Sequence, residues 1–147
     1  IVNLQADEME ASPQLLNEIL AESLDGAQIV SAMYPISSWQ EAQDPNRVKV
    51  VCNHNNEALY FSRAPIPYAF KNPQQYYGYG HIGIYSYQRD VLRTIANHPP
   101  CKMEQLESLE QLRALFLGYT IKMITSSMIT SVNSTDDIQK LREKHGY

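Results

Sequence analysis

Apolar residues in this chain fall into short unbroken runs, which alternate with segments where they recur every three or four positions. That is the pattern of strands alternating with helices. Residues 1–4 (Ile-Val-Asn-Leu) read as a buried strand, with Gln5-Ala6-Asp7-Glu8 as the loop at its C-terminal end. In open α/β sheets ligands bind at that end. A helix follows, predicted by Ser12 as N-cap, Pro13 at the first helical position and Leu15, Leu16, Ile19 and Leu20 at helical spacing; Gly26 stops it. Residues 28–33 predict a second strand, and 38–43 a short helical turn ended by Asp44-Pro45-Asn46. Residues 48–52 and 58–61, flanking His54-Asn55-Asn56, predict a β-hairpin with an Asn-rich turn. Pro65 and Pro67 fix an extended loop over 62–68, and 69–79 has no periodicity.

The run His81-Ile82-Gly83-Ile84-Tyr85-Ser86-Tyr87 predicts a buried strand, punctuated in front by Gly78 and Gly80. A helix is expected over 89–96, and a longer one over 103–118 after the break at Pro99-Pro100. In the longer helix Glu104, Glu107, Ser108 and Gln111 fall on one side, and Leu106, Leu109, Leu112 and Phe116 on the other, with Glu110 beside Glu107. Residues 120–124 predict an edge strand and 125–133 a weaker extended segment. Thr135 caps a closing helix over 136–144 that has acids in its first turn and bases in its last. Together these elements predict one α/β domain over 1–147, with the hairpin as an insertion.

His81 stands out in an apolar strand. It opens the run, where a sheet edge would meet a cleft, and Tyr85 four residues on shares its face. A satisfied structural histidine and a site residue are both open readings. Asp7 and Glu8 leave a similar choice: a carboxylate after a strand can hold Mg²⁺ beside a triphosphate, and Asp-Glu is also an ordinary entry to a helix.

Composition narrows the function. The 147 residues carry a formal charge of −4 with no basic run, which argues against nucleic acid as a partner. No apolar run approaches the ~18 residues of a membrane span. Cys52 and Cys101 lack metal-like spacing and are expected to be reduced thiols of a cytoplasmic protein. Ten tyrosines, clustered between Tyr60 and Tyr87, predict a packed aromatic surface. The stretch from Tyr68 to Tyr87 is the candidate two-fold interface of a homodimer.

Several of these runs resemble one family. His81 to Tyr87, the Pro99-Pro100 break and residues 103–115 (MEQLESLEQLRAL) are similar to the C-terminal half of the 3-deoxy-manno-octulosonate cytidylyltransferases. These enzymes activate the acidic eight-carbon sugar of bacterial lipopolysaccharide. Residues 48–51 (VKVV) and 58–68 (ALYFSRAPIPY) fit the same family, and Gln5-Ala6-Asp7-Glu8 resembles its Gln-Gly-Asp-Glu-Pro motif. The resemblance implies a Rossmann-like nucleotide-diphospho-sugar transferase fold. It also implies transfer of CMP from CTP to 3-deoxy-D-manno-octulosonate or its 8-amino analogue, with Mg²⁺ as cofactor. On that footing Asp7 binds the metal and Arg63 grips the sugar carboxylate, the two being the catalytic candidates. His81 and Tyr85 line the sugar pocket, Glu110 and Gln111 bond its hydroxyls, and Gln5 reaches the same substrate.

The match departs from the family at identifiable places. Ala6 stands where the family has glycine and Met9 where it has proline. Asn133 occupies the position of the second metal-binding aspartate; its amide oxygen can ligate Mg²⁺ but brings no charge. Nothing resembles the basic, glycine-containing loop that grips CTP, and the chain opens in an apolar run without an initiator methionine. These features lead to the expectation of a fold lacking its N-terminal nucleotide-binding βαβ portion. The rival expectation is a catalytically inactive module that keeps only the acidic-sugar site.

Overall fold

The computed structural model describes residues 1–4, 12–73 and 76–126. Gln5, Ala6, Asp7, Met9 and Asn133, with the extended segment and closing helix expected beyond residue 126, lie outside the described residues. Six strands form one mixed sheet: β1 (Val2–Leu4), β2 (Ile29–Pro35), β3 (Lys49–Cys52), β4 (Ala58–Ser62), β5 (Tyr79–Tyr87) and β6 (Ile121–Thr125). The spatial order is β4-β3-β5-β2-β6, and β1 pairs with β5 on the side that β3 also takes. Strand β5 runs antiparallel to β1, β2 and β3, while β6 is parallel to β2. The β3–β4 hairpin curls toward the opposite edge, where Met123 N–H donates to the Asn56 carbonyl at 2.7 Å.

Alternation along the central strands sorts side chains between two faces. Val30, Ala32, Tyr34, Ile82 and Ile84 pack with Leu15 and Ile19 of α1 (Pro13–Leu24). Ile29, Met33, Tyr85, Val50, Phe61 and Met123 face the other way, with Leu109, Leu112 and Ala114 from the helical segment after β5. Gly80 is forced by this packing: a Cβ there would fall 2.3 Å from the ring of Tyr34, its partner across the β2–β5 pair.

Helix α1 follows its local signals. The Ser12 hydroxyl accepts from Leu15 N–H at 3.1 Å, Pro13 is the first helical residue, and Gly26 follows the end at φ +105°. The short α2 (Trp39–Gln43) is capped in the same way by Ser38, which accepts from Glu41 N–H. Helix α3 (Arg89–Asn97) and strand β6 also stand where the pattern placed them.

Four expectations need correction. Strand β1 is exposed, not buried, because it pairs only with β5 among the described strands. Leu20 is also exposed; Leu15 and Ile19 of α1 are buried in the core and Leu16 packs partly against it. His81 does not open a strand at a sheet edge, since β5 begins at Tyr79 and is central. Finally, the single helix expected over 103–118 is two short ones, α4 (Lys102–Glu107) and α5 (Gln111–Phe116). Ser108 breaks them with a left-handed backbone, φ 53° and ψ 49°, a conformation that costs a non-glycine residue about 1 kcal/mol. The break resets the helical phase. Leu106 and Phe116 therefore face solvent, while Glu104 is buried.

Candidate functional site

The sheet face that carries α3, α4 and α5 holds a polar-lined cavity of about 360 Å³ between β1, the end of β5, α3 and α5. Its lining mixes Ile29, Ile95 and Ala114 with Asn3, Tyr87, Glu110, Gln111 and Arg113. Two of the expected sugar-binding residues, Glu110 and Gln111, thus share one hollow at the head of α5. Glu110 is exposed and Gln111 half-buried, which leaves both side chains within reach of a ligand.

Arg113 is already committed. Its guanidinium donates to both carboxylate oxygens of Glu104, Nε at 2.8 Å, and Nη1 donates to the carbonyls of Ile95 and His98. Glu104 also accepts from Cys101 N–H, closing a capping box at the start of α4. The Arg113 hydrogen bonds hold the Glu104 carboxyl below its usual range. This buried pair ties the end of α3 to α4 and α5 and fixes one wall of the cavity.

From the cavity a row of rings runs into the sheet. Tyr87 stacks on Tyr85 at 5.5 Å, Tyr85 lies 5.3 Å from His81, and Phe61 meets His81 edge-on at 5.1 Å. Burial, and then the Glu110 charge, push the Tyr87 hydroxyl up to about 12, so it remains protonated at neutral pH. Burial pushes the His81 imidazole down to about 3, so it is neutral. His81 Nε2 lies 3.0 Å from the Ser31 hydroxyl. His81 and Tyr85 continue this row behind Tyr87 and do not line the cavity itself.

Arg63 sits elsewhere, at the break between α4 and α5. Its Nε donates to the Glu107 carbonyl at 2.7 Å, Nη1 to Pro45 at 2.9 Å and Nη2 to Ser108 at 3.3 Å. The Glu107 carboxylate accepts in turn from the Ser62 hydroxyl and from Arg63 N–H. Lys49, fully buried, donates to the carbonyls of Asp44 and Arg63, and its burial lowers the ammonium to about 8. Arg63 thus braces the turn that carries Glu110 and Gln111, and a ligand carboxylate would compete with three carbonyls for it.

A second, smaller cavity of about 200 Å³ is bounded by Ser12, Gln14, Glu18, Thr125 and Ser126. Among the described residues no group of three His, Cys, Asp or Glu side chains is suited to a metal. No described helix is long and apolar enough to cross a membrane.

The reading of the sequence missed Ser31, Tyr87, Glu104 and Arg113. Ser31 had a signal, as a lone hydroxyl in the run Ile-Val-Ser-Ala-Met, and so did Tyr87, two residues beyond Tyr85 on the same face. The Glu104–Arg113 pair had none, because it depends on the break at Ser108.

A mixed sheet with one antiparallel strand among its central members, covered by helices on both faces, defines the α/β class to which this chain belongs. The fold recurs in a putative glucose-1-phosphate thymidylyltransferase from Bacillus anthracis, at 17% identity and a TM-score of 0.56. The chain is a member of the cytidylyltransferase family, whose model matches residues 1–123. It is 39% identical to the 3-deoxy-manno-octulosonate cytidylyltransferase of Legionella pneumophila (strain Corby), over 94% of this chain and 57% of that protein. The corresponding enzyme of Nitratidesulfovibrio vulgaris (strain DP4) is 38% identical over 99% and 61%. A CMP:2-keto-3-deoxy-manno-octonic acid synthetase solved in complex with CTP superposes with a TM-score of 0.89 at 36% identity, covering 99% of this chain and 61% of that one. The chain therefore spans about three-fifths of the length of these relatives.

Proposed function

We propose that this chain supplies the acidic-sugar site of a cytidylyltransferase with a Rossmann-like nucleotide-diphospho-sugar transferase fold. The reaction is transfer of CMP from CTP to 3-deoxy-D-manno-octulosonate. The observation that carries the reading is the placement of Glu110 and Gln111 together, at the head of α5, on a cavity of about 360 Å³. Likeness to octulosonate cytidylyltransferases over nearly the whole chain supports the choice of sugar. In the reaction the anomeric hydroxyl of the sugar attacks the α-phosphorus of CTP. The new O–P bond forms as the bond to the β-phosphate oxygen breaks, pyrophosphate leaves and the hydroxyl proton is lost.

Glu110 and Gln111 hold sugar hydroxyls in this proposal, and Tyr87 offers a protonated phenol beside them. Gln5 reaches the same substrate, and His81 and Tyr85 back the pocket. Arg63 acts first as the brace of the 107–110 turn, and a grip on the sugar carboxylate draws on the same guanidinium. Positioning of this kind accounts for much of the rate in phosphoryl-type transfers. Asp7 and Asn133 offer the hard oxygen donors that Mg²⁺ takes. The ion would supply charge neutralisation at the phosphates. Assembly as a cytoplasmic homodimer belongs to the same proposal, through exposed Tyr68, Phe70 and Tyr77 near the hairpin.

Calorimetric titration of the chain with octulosonate, alongside pyrophosphate release with CTP and Mg²⁺, tests the reading. Saturable binding that weakens about tenfold in Glu110→Gln and in Gln111→Ala is expected. Binding that is absent, or indifferent to both substitutions, contradicts it. Binding without pyrophosphate release favours the inactive acidic-sugar module, a role consistent with Ala6 and Asn133.

A further inference from the structure

The strand pair β2–β5 contains an irregularity beside the row of rings. Ser31 pairs with Tyr85 but the next residue, Ala32, pairs with Ile82, so Gly83 and Ile84 are extra on β5. An insertion of two preserves parity, which keeps His81 and Tyr85 on one face. The Ser31 hydroxyl, fully buried, lies 2.9 Å from the Ile84 carbonyl, 3.3 Å from that of Ile82 and 3.0 Å from His81 Nε2.

A hydroxyl has one proton, and a carbonyl can only accept. Were that proton given to His81, the Ser31 oxygen would face two carbonyl oxygens at 2.9 and 3.3 Å with no hydrogen between them. The proton therefore goes to the carbonyls of the bulge, and the Ser31 oxygen accepts from His81 Nε2–H. A neutral imidazole protonated at Nε2 carries its lone pair at Nδ1. We propose that Ser31 is a positioning residue that fixes His81 as the Nε2–H tautomer, making the ring a hydrogen-bond acceptor through Nδ1 and not a cation. In that state the ring offers a lone pair and no charge at Nδ1.

Nitrogen NMR of the full chain, labelled in its histidine rings, reads the tautomer directly. At pH 7 the expected spectrum for His81 has a protonated Nε2 and a lone-pair Nδ1. Ser31→Ala should mix the two tautomers, while Ser31→Thr, which restores the hydroxyl, should return the wild-type pattern. A wild-type spectrum with Nδ1 protonated, or with both nitrogens protonated, overturns the assignment even if Ser31→Ala fails to fold. An unchanged tautomer in a folded Ser31→Ala protein overturns it as well.

Discussion

The two faces of the sheet are built from alternate residues of the same strands, yet they differ in kind. Toward α1 the strands present Val30, Ala32, Ile82 and Ile84, and these pack with Leu15 and Ile19 of α1 and Ala42 of α2. Toward α3, α4 and α5 they present Ser31, His81, Tyr85 and Tyr87, with a buried ion pair and a cavity of about 360 Å³. The first face is closed by apolar burial, which is non-directional and tolerant of detail. The second has an apolar cluster of its own, with Ile29, Met33, Phe61 and Leu112, but adds hydrogen bonds and an ion pair and leaves room for a ligand. Both faces therefore contribute stability, but strand parity confines recognition to the second, and substitutions on the α1 face should change stability without changing binding.

The largest expected loss comes from the ion pair. Replacing Arg113 with Met leaves the Glu104 carboxylate buried without its partner and should cost about 3–5 kcal/mol in a urea denaturation experiment. Octulosonate binding should fall with it, since Arg113 fixes a cavity wall. On the opposite face Ile19→Ala should cost about 2–4 kcal/mol, because Ile19 is fully buried, but should leave octulosonate affinity unchanged in protein that remains folded. An equal loss of affinity in both variants would erase the distinction between the faces. Ser12→Ala removes the cap of α1 and should cost about 1 kcal/mol, again with no effect on binding.

A pH-dependent effect follows from His81 titration. Unfolded imidazole takes a proton as pH falls through about 6.5, whereas in the folded chain burial delays this to about 3. Between those values the unfolded state binds more protons, so stability declines as pH drops through the window. Thermal melts from pH 7 to pH 4 should show a shallower decline in His81→Gln than in wild type. Parallel slopes would mean that His81 is not held neutral.

The same contrast explains what the sequence made legible. The α1 face rests on local signals: Ser12 and Pro13 start the helix, and Leu15 and Ile19 lie one turn apart. The hairpin and the strand parity of 81–87 were equally plain, because both repeat within a few residues. The break at Ser108 was not. It is fixed by Arg63, 45 residues earlier along the chain, and the helical spacing of Leu106, Leu109 and Leu112 gives no hint of it. The role of Arg63 as a brace is hidden for the same reason, since the carbonyls it holds meet it only in the folded chain. An apolar run at residues 1–4 reads as core, and only its pairing shows that it is exposed.

The most direct test of the central claim is a residue-resolved one, an amide NMR titration of the chain with octulosonate. The account predicts chemical-shift changes clustered at 85–87 and 110–114, with the amides of Leu15, Ile19 and Ala32 unmoved. Changes confined to the α1 face, or none at saturating sugar, would contradict it.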